Sequence, residues 1–123
     1  MQDVIFNTVS ALKEGLLSKK YSSVELTTEY LNRIAMIDAS MNSFITVCEE
    51  EALRQAAHAD KLIQQGKAGT LTGIPYANKD IFCTKNVRTT CGSKMLDNFI
   101  APYNATVVEK CIDAGMVMLG KTN

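Results

Sequence analysis

The chain carries no surplus of either charge. Its 13 Lys+Arg balance 13 Asp+Glu over 123 residues, so no global field draws it to nucleic acid or to an anionic membrane. A local basic patch stays open, but Lys19, Lys20, Lys61 and Lys67 are scattered and support no nucleic-acid-binding site. No apolar run approaches the roughly 20 residues needed to span a bilayer. The opening, MQDVIFNTVSALKEGLL, lacks a basic segment followed by a long apolar one, so no secretory signal is expected. Cys48, Cys83, Cys91 and Cys111 include no C-x-x-C pair, which argues against a zinc site. They are expected to pack as small apolar residues in a reducing compartment, which points to the cytoplasm. The single histidine, His58, falls with Glu51, Gln55 and Leu62 on the outer side of a helix and reads as solvated. There is no internal repeat and no low-complexity segment.

What is present suits one soluble domain: 46% hydrophobic and 21% charged residues. Three helices are expected in residues 1–66. The first carries Ile5, Val9, Leu12 and Leu16 behind Asn7 or Thr8 as cap. The second opens on the capping box Ser22-x-x-Glu25 and buries Thr27, Tyr30, Leu31, Ile34 and Ile37, with Glu29 and Arg33 paired outside. The third, about Glu49 to Gln65, turns Ala52, Ala56, Ala59 and Ile63 inward and stops at Gly66. SFITV lies between as a short strand candidate.

Residues 67–123 change character. GKAGTLTGIP is a loop, and YANKDIF a strand. Cys83 to Tyr103 reads as loop, with one helical turn near Lys94 to Asn98. Asn104 is expected to cap a helix carrying Val107, Val108, Cys111 and Ile112, and MVML follows as a strand covered on both faces. The order strand, helix, apolar strand indicates the start of an α/β core. With only two or three strands, the chain reads as the front of something larger.

Lys79 is the residue that asks for a reason. Strand alternation puts Ala77, Lys79 and Ile81 on one face and Tyr76, Asn78 and Asp80 on the other. A lysine among apolar neighbours, away from a carboxylate, is pushed toward the neutral amine, which can accept a proton. The pattern alone favours the plainer reading, a solvated lysine whose stem lies on apolar surface.

GIPYANKD, followed by TKNVRTTCGSKML and PYNATVVEKCIDAGMVMLGKTN, and preceded by SSVELTTEYLNRI, resembles the amidase signature family over nearly the whole chain. Within that family it is similar to the N-terminal part of the A subunits of glutamyl-tRNA(Gln) amidotransferases. Asn86 and Asn104 stand where the family often has glycine and aspartate, and neither change touches the chemistry. The resemblance implies a truncated amidase-signature α/β fold, with helices followed by the first strands and crossover helix of a mixed sheet. It implies a Ser-cis-Ser-Lys triad in which Lys79 is the base and both serines lie beyond Asn123. It also implies hydrolysis of glutamine to supply ammonia, which partner B and C subunits use to amidate Glu-tRNA(Gln). ATP and Mg would be used by the parent complex through a partner, with no cofactor in this chain. Alone, the chain is expected to be inactive. Ser93 sits in the wrong motif for a nucleophile and reads as a turn cap; Asp80 either fixes the strand end through nearby loop backbone, the favoured reading, or faces water. Arg88 and the two threonines after it shape either a pocket mouth or their own loop. Two other readings stay open: the matching segment of a free-standing small-amide amidase, and a non-catalytic fragment whose helical half docks a partner protein.

Overall fold

The computed structural model describes residues 2–123. After a 3-10 turn at Gln2–Phe6 come α1 (Val9–Leu17), α2 (Ser23–Met41), β1 (Phe44–Val47), α3 (Glu49–Gln64), β2 (Pro75–Lys79), a 3-10 turn at Lys94–Leu96, α4 (Thr106–Asp113) and β3 (Val117–Thr122). The three strands form one mixed sheet in the order β1-β3-β2, with β3 central, antiparallel to β1 and parallel to β2. The β2–α4–β3 crossover supplies the parallel pair.

Local chemistry sets the helix starts. Ser22 accepts from Glu25 N, and Glu25 Oε2 accepts from Ser22 N, closing the capping box of α2. Thr8 caps α1, and Ile5 falls in the preceding 3-10 turn instead of on the helix. Asp60, in α3, adds a long-range cap: its carboxylate accepts from the main-chain N–H groups of Ser23 and Val24 at 2.7 and 3.1 Å. A carboxylate at a helix N-terminus meets both orphan donors and the positive end of the dipole.

Leu12, Leu16, Tyr21, Leu26 and Ile74 form one apolar cluster, and Leu31, Ala52, Ala56, Val117 and Leu119 a second, with Tyr30 packed against both. Burying a Leu26-sized side chain contributes about 1.5–3 kcal/mol. The alanine stripe of α3 is fully enclosed, as its spacing predicts. Small side chains there let α2 and β3 approach α3 closely.

Four expectations change. Gln55 is not on an outer face: its Oε1 accepts from Met118 N at 2.8 Å, beside the register shift between β2 and β3. Met118 lies beyond the β1 pairing, which ends with Val47 opposite Gly120, and the amide side chain satisfies its N–H. Ala105, without a side-chain bond, occupies the cap of α4, because Asn104 Oδ1 accepts from Lys85 N at 2.8 Å and ties down the preceding loop. Among the described residues Glu29 and Arg33 form no ion pair; both line a surface cleft with Asp3 and Met36. The four cysteines are free, and Cys91 is exposed instead of packed.

Candidate functional site at the carboxyl ends of β2 and β3

Parallel strands present their carboxyl ends to ligands in open α/β sheets. Here that end of the sheet brings Lys79 beside Thr122 in register, and Asn78 beside Lys121. β2 stops at Lys79, short of the Phe82 end that its sequence suggests, because Phe82 N–H turns back to the Lys79 carbonyl at 3.1 Å. Asp80 N then donates to Thr122 O, and Cys91 N donates to Asp80 O, both at 2.8 Å. The two loops 80–84 and 89–93 are thereby stitched onto the strand ends.

Lys79 itself is exposed, and so are its face neighbours Ala77 and Ile81, the latter 48% accessible. The apolar slot anticipated around the amine is not built by these residues. The reason is tertiary: α2 and α3 pack on β3, covering Val117 and Leu119, and leave that face of β2 bare. Among the described residues, the Lys79 side chain has no hydrogen-bond or ion-pair partner.

The buried lysine is Lys121, in the GKTN segment. β3 runs past the expected MVML to Thr122, so Lys121 lies within the central strand and is 0% exposed. Its Nζ donates to Phe82 O at 2.9 Å and to Thr89 Oγ1 at 3.0 Å, and stands 3.6 Å from Asp80 Oδ1. Asp80 is 1% exposed; its Oδ2 accepts from Thr90 N at 3.0 Å and from Thr90 Oγ1 at 2.5 Å. Asp80 Oδ1 has no hydrogen-bond partner, so the Lys121 charge is what balances it. Burial pushes the Lys121 amine below its ordinary value of 10.5, and the Asp80 carboxylate opposes that shift. Two acceptors and a carboxylate suit the ammonium form.

The remaining candidates fall into supporting places. Asp80 fixes the strand end, as anticipated. Ser93 Oγ accepts from Met95 N and caps the 3-10 turn. Thr89 and Thr90 organise the loop around Lys121 and Asp80. Arg88 Nη1 donates to Thr46 Oγ1 at 3.0 Å, and its guanidinium also pairs with Asp97, fastening the 88–97 loop to β1. His58 is exposed on α3 beside Arg54 and Met116, away from this end of the sheet. The apolar run MVML ends at Leu119 and leaves Lys121 outside the strand that it predicts; the one signal in the sequence is a lysine a single glycine beyond a fully apolar run.

Residues 25–123 match the family model described as Amidase. The chain belongs to the amidase family. Among curated proteins it is 60% identical over all 123 residues to the A subunit of the glutamyl-tRNA(Gln) amidotransferase of Acinetobacter baylyi, covering 25% of that protein. It is 58% identical over 116 residues to the protein of the same name from Coxiella burnetii, covering 24%. This amidase chain therefore spans about a quarter of the length of the curated relatives it matches. Among solved structures, an amidase family protein from Bacillus anthracis superposes with a TM-score of 0.90 at 32% identity, over 99% of this chain and 25% of that one. The peptide amidase of Stenotrophomonas maltophilia gives 0.89 at 34% identity, over 95% and 24%. The mixed α/β architecture anticipated for an amidase-signature chain is thus the one observed.

Proposed function

We propose that this chain is the front quarter of the glutamine-hydrolysing A subunit of a tRNA-dependent amidotransferase, with Lys79 the base of a Ser-cis-Ser-Lys triad. The observation that carries this reading is the 60% identity along the whole chain to a protein of that name. The exposed face Ala77, Lys79, Ile81 is the face that the remainder of the longer protein would cover. Covering it desolvates the amine and favours its neutral form. The Lys79 amine then takes the proton of a bridging serine, which takes that of the nucleophilic serine. Attack on the glutamine carboxamide gives an acyl-enzyme, and the returned proton leaves with ammonia. Water releases glutamate, and donors supplied by backbone N–H groups hold the oxyanion.

Both serines lie outside this chain, so by itself it releases no ammonia. Partner B and C subunits would receive the ammonia and amidate Glu-tRNA(Gln) in the cytosol. ATP and Mg would enter through a partner subunit. A second reading, a free-standing amidase for small amides, is favoured by the superposition on the peptide amidase at a TM-score of 0.89.

The test joins this chain to the remaining sequence of the Acinetobacter baylyi protein, assembled with its partners. Glutamine-dependent formation of Gln-tRNA(Gln) is expected. Turnover of a peptide amide with none of glutamine would select the second reading.

A further inference from the structure

A buried ion pair is an uneconomical way to hold a fold. Replacing one with packed apolar residues is often neutral or stabilising, whereas stripping away one partner leaves an uncompensated charge. Lys121 and Asp80 form such a pair at the carboxyl end of the sheet, enclosed by the 80–92 loops. Nothing in the chemistry assigned to Lys79 uses Lys121.

What the pair does is legible in Phe82. Its N–H donates to the Lys79 carbonyl at 3.1 Å, and its carbonyl accepts from Lys121 Nζ at 2.9 Å. Asp80, bonded directly to Lys79, faces the same ammonium at 3.6 Å. Both the residue after Lys79 and the peptide that hydrogen-bonds its carbonyl are therefore tied to one buried charge. Thr89 Oγ1 donates to Val87 O at 3.2 Å and so is oriented to accept from Lys121. Thr90 holds the other carboxylate oxygen of Asp80. An ammonium with directional donors defines where a turn stands, which an apolar side chain of similar volume does not.

We propose that Lys121 is a positioning residue for Lys79, fixing the peptide that follows it through Phe82 and Asp80, with Asp80 as the counter-charge. The proposal rests on reading Lys79 as the triad base.

The test uses the longer amidase polypeptide joined as above, with kcat and KM for glutamine and the thermal midpoint measured for each variant. Lys121→Met is expected to lower kcat by about tenfold or more, since small misplacements of a catalytic group carry large rate costs. KM should hold and Tm should fall. Asp80→Asn combined with Lys121→Met removes the stranded carboxylate and is expected to regain Tm without regaining kcat. Recovery of kcat together with Tm would make Lys121 merely structural and overturn the proposal. Unchanged kcat in Lys121→Met, a change confined to KM, or no gain of Tm in the double variant would overturn it as well. Lys79→Ala is measured alongside: full turnover there would remove the base reading itself, whatever Lys121 does.

Discussion

Replacing Gly120 by alanine should damage this fold more than any comparably small change on its surface. Gly120 is the register partner of Val47, where β1 crosses close over the central strand. A Cβ built there would stand 2.9 Å from Phe44 Cδ1 and 3.1 Å from Val47 Cα, and closer still to the Thr46 carbonyl oxygen. Two of these three atoms are backbone and cannot rotate aside, so β1 itself must move. Overpacking costs typically about 1–3 kcal/mol. One or two ladder hydrogen bonds lost with the shift add about 0.5–1.5 kcal/mol each. The expected loss is therefore about 1.5–6 kcal/mol. Gly66 provides the contrast: its φ is +71°, yet nothing lies within 4 Å of a Cβ added there. Gly66→Ala should cost only the left-handed backbone penalty, about 1–2 kcal/mol. Urea unfolding followed by far-ultraviolet circular dichroism reads both variants. A loss below about 1 kcal/mol for Gly120→Ala would refute the close-approach argument. It would also imply that β1 does not sit where its pairing with β3 puts it.

Two further outcomes follow from the same geometry. Asp60→Ala removes both carboxylate bonds to the first turn of α2. It should destabilise the chain by about 1–3 kcal/mol in urea unfolding; a change within a few tenths would mean that Ser22 and Glu25 alone cap the helix. Burial raises the Tyr76 phenol above its ordinary value of 10.0 in the folded chain. Above that pH the unfolded tyrosine loses its proton while the folded one keeps it, so stability falls. Tyr21 and Tyr30 act in the same direction. Lys121, lowered from 10.5, acts in the opposite one between its folded value and 10.5. Tyr76→Phe should therefore flatten the decline of the urea midpoint above pH 10.0, and an unchanged slope would refute the burial argument.

Interactions that close within a few residues were legible in the sequence. The Ser22/Glu25 box and the Ala52, Ala56, Ala59 stripe are set by spacing alone. Interactions between distant segments were not. Asp60 reads as a surface helix residue until α2 is laid against α3. Asn104 has the chemistry of a cap, but the Lys85 N–H competes for its side chain and wins. Strand alternation sorted the faces of β2 correctly and still misjudged which was enclosed, because burial depends on the helices and loops packed on each face. Asn78 and Asp80, the polar face, went inside; Ala77, Lys79 and Ile81 stayed out. The irregular register beside Met118 carries Lys121 onto the Asn78 face, a placement that no count of apolar residues reveals.

The account turns on the amine at the carboxyl end of β2, and ammonia release from glutamine by the longer polypeptide, with and without Lys79→Ala, tests it most directly. Loss of a general base costs about 10²–10⁴-fold in rate, and a fall in kcat of that order is predicted, with the fold intact by circular dichroism. Turnover at the unsubstituted rate would contradict the assignment of Lys79 as the base.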